Sequence, residues 1–561
     1  FLDQLSSGSS INNIPVALRL VGALDVEALR RSLDEIIQRH EILRACFALR
    51  NGRPSHIIVP QLILALDIED LRTSVEPDRE AQILRLAGEE ACRPFDLANG
   101  PLIRGCLFRL DDMNHVLSLT LHHIVADGWS MDVLRRELAS LYEAFKDGRP
   151  SPLPALPIQY VDLIAAQRER PKGAADRRLL EYWANQLEGA PPLLNLPWDY
   201  PRPAIQGHRG ARHPWTLEPE LARRLYEVGA RYRATPFMLL VSALGLLLSR
   251  YSRQTDFCIG TPVANRAGRE AEQLVGCFVN TVVLRMDVSG NPSLPALLDR
   301  VRVMVLGAQS HQDLSFERLV DELGVVRDLG HTPLFQVMFV LEDSPSDVRR
   351  FADLEASRLN VGTGTSVFDL TLEMAQKTDG SLDAVFEYST DLFAADTIAR
   401  MAGHLQALLR QIVASPEASV SELSILSPGE QALELADSRS PREAYPQEAS
   451  LHRLIEEQAS KRPDAVALQC DRGPITYDSL NRMGNQLARY LRTQGIVPEA
   501  PVALCVDRSL EMAVGILGCL KAGATYVPVD PSYPAERQAA IFRDAQPHLL
   551  LTQGRHLESL P

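Results

Sequence analysis

Residues 115–130 read HVLSLTLHHIVADGWS, and they decide how the rest of the chain is read. From His115 to Val125 apolar and polar side chains alternate, which predicts a β-strand with Leu117, Leu119, Leu121 and His123 on one face. Val116, Ser118, Thr120 and His122 fall on the other. The turn Ala126-Asp127-Gly128 follows, and then Val133, Leu134, Leu138, Leu141, Tyr142 and Phe145 recur at helical spacing until Gly148 and Pro150 stop the pattern. Asp127 or Ser130 is placed to cap that helix. A strand therefore runs into a helix across a turn that carries two imidazoles and a carboxylate.

Strand parity sends the two imidazoles to opposite faces, so one of them can address a given cavity. His123 shares its face with three leucines, which predicts a desolvated setting where a neutral ring is favoured. Gly128 suits a turn of positive φ, or a point where a ligand passes close to the backbone. On this chain's composition an HHxxxDG match arises by chance roughly once per thousand such sequences. Two histidines at a strand end more often satisfy local hydrogen bonds than do chemistry. A metal site would need a third ligand beside His123 and Asp127, and no clustered His or Cys supplies one, so no metal is expected.

Outside this stretch the same mixture continues. Segment 24–47 places Val26, Leu29, Leu33, Ile36 and Ile37 on one helical face. The Pro-rich run 191–203, PPLLNLPWDYPRP, interrupts all periodicity and is expected to cross between two lobes. Beyond it helices are predicted at 218–230 and 236–250, with strands at 257–263 and 278–284. Interleaved helices and strands make the class α/β, or α+β. The polar stretch 427–447 reads as a linker to a further α/β unit. The expected divisions are 1–190, 191–426, 427–447 and 448–561.

Composition excludes several functions. With 561 residues, 45% hydrophobic and 23% charged, the chain has material for several cores, and neither disorder nor a disulfide scaffold fits. The net charge of −14 gives no general attraction to nucleic acid or anionic membrane. The 8 cysteines are scattered singly, which predicts a reducing, cytoplasmic setting. The longest apolar stretch, Phe237 to Leu248, falls short of the ~20 residues that cross a bilayer, so no membrane span is expected. The chain begins with Phe1 and has no signal-type segment, so it is expected to be part of something longer.

Seven motifs in order then tie the chain to a family: RHEILRACF (39–47), LHHIVADGWS (121–130), YVDLIAAQ (160–167), GTPVANR (260–266), VGCFVNTVVLR (275–285), HQDLSFERLV (311–320) and RDLGHTPLFQVMF (327–339). Together they resemble the condensation domains of nonribosomal peptide synthetases. Phe1-Leu2 looks like the end of that family's first motif, and Leu163 and Ala166 stand where aromatic residues are usual. ITYDSL (475–480) and LKAGATYVPVDP (520–531) resemble the first core motifs of adenylation domains.

The resemblance implies two chloramphenicol acetyltransferase-like lobes in a V, followed by an incomplete adenylate-forming domain. It implies amide-bond formation, in which the amine of a carrier-bound aminoacyl thioester attacks an upstream carrier-bound acyl or peptidyl thioester. His123 would be the catalytic group, as base or as positioning group, with His122, Asp127 and Gly128 around it. Asp127 would pair with Arg266 as a structural ion pair. Trp129, Asn280 and Gln336 are candidate channel residues, with a satisfied buried amide as the alternative for the last two.

The implied partners are upstream and downstream peptidyl carrier domains, whose 4'-phosphopantetheine holds the substrates. The condensation domain would bind no cofactor itself, and ATP with Mg would belong to a complete adenylation domain. Readings that compete are a starter domain taking a fatty acyl donor, a non-catalytic carrier-docking platform, and an ATP-dependent ligase. Aspartates in place of the histidines would mark heterocyclisation, and Trp129-Ser130-Met131 departs from the usual epimerisation pattern.

Overall fold

The computed structural model describes residues 10–50, 53–72, 79–168, 173–266, 268–325, 328–342, 350–437, 449–470 and 473–561. Phe1-Leu2, Arg327 and residues 438–447 of the expected linker lie outside them. The chain forms two compact units, Phe1–Glu434 and Leu435–Pro561.

Among the described residues the first unit holds fourteen strands. Its first half runs β1 (Asn13–Val21), β2 (Ala45–Arg50), β3 (Arg53–Ile58), β4 (Leu66–Asp70), β5 (Ile103–Arg109) and β6 (Asn114–His122). Its second half runs β7 (Gly210–Leu217), β8 (Asp256–Val263), β9 (Asn280–Asp287), β10 (Val337–Glu342), β11 (Arg350–Phe351), β12 (Leu354–Leu359), β13 (Leu370–Gln376) and β14 (Leu382–Ser389).

One six-stranded sheet has the order β11-β12-β1-β6-β5-β4. Its central pair is antiparallel, with Val16 opposite Leu119 and Leu18 opposite Leu117. Leu117, Leu119 and Leu121 face a core shared with Leu29 and Leu33 of helix Val26–Arg39 and Leu138 and Leu141 of helix Gly128–Lys146. The alternate residue Val116 packs with Ile83 and Ala87 of helix Arg79–Cys92 on the other face. Both faces are covered, which is why even Ser118 and Thr120 of β6 are buried.

The second sheet has the order β7-β14-β13-β10-β8-β9, with β10 parallel to both β13 and β8. Helices Pro219–Arg231, Pro236–Ser252, Leu294–Ser310 and Ala395–Ala414 supply its main core, through residues such as Leu225, Leu244, Leu297 and Leu405. Helix Pro236–Ser252 is apolar all round because it lies in the middle of this core. No single helix among the described residues is long and apolar enough to cross a membrane. Leu194 and Leu196 of the Pro-rich segment are buried in the same core, so that segment is packed rather than free.

Two features depart from the sequence reading. Residues 350–359, inside the expected second lobe, form β11 and β12, and β12 pairs with β1. The second half of the chain thus covers what would otherwise be an open edge of the first sheet. Within the expected linker, Pro428–Asp437 is a helix. Ser427 and Glu430 satisfy each other's backbone N–H groups at its start, a capping box written in the sequence as SPGE.

The second unit contains a three-stranded parallel sheet of Thr525–Pro528, Pro501–Cys505 and Leu549–Thr552. Leu491, Val502 and Cys519 are fully buried in its core.

Candidate active site at the junction of the lobes

The strand β6 ends at His122, one residue before the expected alternation would place His123. The Val125 N–H donates to the His122 carbonyl, closing a turn, and the His123 N–H donates to Asn12 O at 2.7 Å. His123 therefore lies just past the strand end and is half-buried, which corrects the expectation of a desolvated setting. His122 is the deeper of the two at 4% exposure. Its Nδ1 accepts from the Ile124 N–H at 3.1 Å, and its ring meets Phe95 edge to face at 6.0 Å. These contacts make His122 a packing and turn-shaping residue.

Asp127 caps helix Gly128–Lys146 by accepting from the Ser130 N–H at 2.8 Å. The same Oδ1 accepts from Arg266 Nη2 at 2.8 Å, and Oδ2 accepts from the Phe278 N–H at 2.9 Å. Arg266 also donates through Nη1 to the carbonyls of Ala271 at 2.7 Å and Leu274 at 2.6 Å. Its guanidinium lies over the Phe278 ring at 4.2 Å. Burial pulls the Arg266 pKa down while Asp127 opposes that pull, and an arginine in such a pair keeps its charge. With both oxygens engaged, Asp127 is a structural anion tying the turn to the second lobe.

The tie continues along 275–278. Val275 N–H points to His40 Nδ1 at 3.4 Å, and Gly276 N–H donates to Ser130 Oγ at 3.1 Å. Tyr160 Oη donates to Cys277 O at 2.9 Å, and Phe278 N–H goes to Asp127 as above. A Cβ at Gly276 would fall 2.1 Å from the Tyr160 ring, so glycine is required there by close approach. Leu163, which stands where the resemblance expects an aromatic, packs with Leu274 and Phe278.

This ladder carries Cys277 to the site, where its Sγ lies 3.6 Å from His123 Nδ1. Burial pushes the thiol pKa up to about 12, with Asp127 and Glu317 adding to the shift. Sequence reasoning does not single out Ser130, Tyr160 and Cys277 as site residues. All three lie inside matched motifs, but nothing in a single sequence says which motif residues meet.

The remaining candidates divide. Gly128 is the first residue of its helix, has no positive φ, and would meet nothing within 4 Å if it carried a Cβ. Its turn conformation does not demand glycine, which leaves the reading of a bare backbone beside open space. Trp129 is 41% exposed and its Nε1 donates to Glu272 O at 3.0 Å, bridging the lobes at the rim.

Asn280 gives Nδ2 to the carbonyls of Gln312 at 2.7 Å and Leu314 at 2.8 Å, and its Oδ1 accepts from two backbone N–H groups. Gln336 bonds Leu194 N–H at 2.8 Å and the carbonyls of Pro192 at 3.1 Å and Thr332 at 3.0 Å. Both amides are spent on holding backbone in place, so the structural alternative replaces the channel assignment for each. Among the described residues no group of three or more His, Cys, Asp or Glu could hold a metal ion.

Comparison with known proteins places this arrangement. The family model described as the condensation domain matches residues 1–433, and that described as the AMP-binding enzyme matches 455–561. The chain belongs to the condensation-domain family of nonribosomal peptide synthetases, enzymes of the amide-forming, acyltransferase type, with part of an AMP-binding region after it.

It is 43% identical to chondramide synthase cmdD of Chondromyces crocatus, over 100% of this chain and 14% of that protein. It is 40% identical to phosphinothricin tripeptide synthetase PhsC of Streptomyces viridochromogenes, over 99% of this chain and 51% of that one. The chain thus spans between about a seventh and a half of these two relatives. A solved four-domain nonribosomal peptide synthetase in its holo form, bound to AMP and glycine, superposes with a TM-score of 0.78 at 27% identity, covering 100% of this chain and 43% of that one.

Proposed function

We propose that the first unit joins two carrier-bound thioesters through an amide bond at His123. The observation that supports this is the placement of one half-buried imidazole at the lobe junction, beside a carboxylate already consumed by Arg266, Ser130 and Phe278. Asp127 has no oxygen to spare for the reaction, and His122 is turned into the sheet. His123 is left as the group able to meet the reacting atoms.

The acceptor amine lone pair attacks the donor carbonyl carbon, the C–N bond forms, and the carbonyl π pair moves to oxygen. Collapse of that intermediate breaks the C–S bond. The phosphopantetheine thiolate leaves and is protonated, while the amine nitrogen loses a proton. An α-amine has a reference pKa of about 7.7–8.0, so a useful fraction is already neutral and no strong base is needed. Orientation of the amine and stabilisation of the oxyanion are then the main services of the site. The partners are an upstream and a downstream carrier domain, and the open backbone at Gly128 is where a substrate arm passes.

The condensation reading is tested by supplying loaded donor and acceptor carriers and following the amide product on the acceptor arm.

A further inference from the structure

The thiol of Cys277 is the polar side-chain group placed against the His123 ring, at 3.6 Å from Nδ1. Among the described residues the other ring nitrogen, Nε2, makes no hydrogen bond within the protein, so Nδ1 is where the protein can bias the tautomer. The thiol is not there by chance of a loose loop. Residues 275–278 are held by His40, Ser130, Tyr160 and Asp127 in succession, and the bonds from Gly276 and Phe278 flank Cys277 on both sides.

A buried thiol stays protonated and carries one hydrogen, and sulfur is a poor acceptor whereas an imidazole nitrogen is a good one. We propose that Cys277 is a positioning residue that donates S–H to His123 Nδ1 and so holds the ring as the Nε2–H tautomer. The inference rests on His123 being the group at the reacting atoms, and it goes further by deciding what that group offers. In this tautomer Nε2 presents a hydrogen, so His123 serves the reaction as a hydrogen-bond donor to the developing oxyanion and does not collect the amine proton. It also gives the interaction a direction that His40, Ser130 and Tyr160 help to fix.

The test labels the chain with ¹⁵N-histidine and reads the two ring nitrogens of His123 at pH 8, assigned by their loss in His123→Ala. The expected result is a protonated Nε2 and an unprotonated Nδ1 in the native chain, with that preference lost in Cys277→Ala and kept in Cys277→Ser, whose hydroxyl can donate in the same place. Turnover with loaded carriers is expected to fall about tenfold in Cys277→Ala at unchanged KM and to recover in Cys277→Ser. A native chain with the proton on Nδ1, or a Cys277→Ala ring indistinguishable from native, would overturn the proposal. The tautomer is read without any condensation assay, so failure of the condensation reading appears separately, as absence of amide product from a chain whose ring is nonetheless in the expected state.

Discussion

Asp127 and Arg266 come from opposite halves of the first unit and meet at 2.8 Å, each with a side chain 2% exposed. Deleting one partner leaves the other charge buried, which typically costs about 3–5 kcal/mol. Asp127→Ala and Arg266→Ala should each lower the unfolding free energy by an amount of that order. Denaturant unfolding of both variants measures this. A double variant that is less destabilised than the two losses combined would confirm that they share one interaction.

The two glycines of the site should respond to substitution in opposite ways. Gly128 faces open space, whereas a Cβ at Gly276 would strike the Tyr160 ring. Gly128→Leu is expected to keep its melting temperature and lose at least about tenfold in kcat/KM, since the added bulk would project where the substrate arm is proposed to pass. Gly276→Ala is expected to lose stability, read as a lower melting temperature. Equal melting temperatures for both variants would contradict the packing account of Gly276.

Cys277 should be a slow thiol. A pKa of about 12 leaves roughly one thiolate in ten thousand at pH 8, so the group neither captures the donor thioester nor reacts readily with alkylating agents. Iodoacetamide followed by peptide mass mapping should modify the exposed Cys92 first. Preferential alkylation of Cys277 would show an activated thiol and contradict the assignment.

Glu387 provides a pH test away from the site. Burial, and then the like charge of Glu373, raise its pKa to about 7, although Arg212 opposes both. A carboxyl whose native pKa lies above its unfolded value binds more protons in the folded state, so stability falls as pH rises from about 4.3 to about 7. Glu387→Gln should flatten that slope and be relatively more stable than native at pH 8 than at pH 5. Thermal melts at the two pH values check it.

Much of this architecture is legible in the sequence because it rests on period and capping. The leucine alternation of β6, the helix after Asp127 and the long apolar helix Pro236–Ser252 all follow from spacing alone. The expected alternation runs past His122 because the turn that stops it is closed by backbone bonds, which leave no mark on hydropathy. The pairing of β12 with β1 joins residues more than three hundred positions apart, beyond any local signal. Asn280 and Gln336 lie in motifs that carry the resemblance, but which backbone groups claim their amides depends on the tertiary course of 192–194 and 312–316. The helix Pro428–Asp437 is the reverse case: its Ser427-Glu430 cap is local and readable, but the surrounding polarity conceals it.

The most direct test of the central claim is single-turnover condensation by His123→Ala, with donor and acceptor carriers already loaded and folding checked by circular dichroism and melting temperature. The account predicts a folded protein whose rate of amide formation falls by two orders of magnitude or more, about the span that proton or hydrogen-bond assistance contributes. A folded His123→Ala protein that forms product at near-native rate would contradict it.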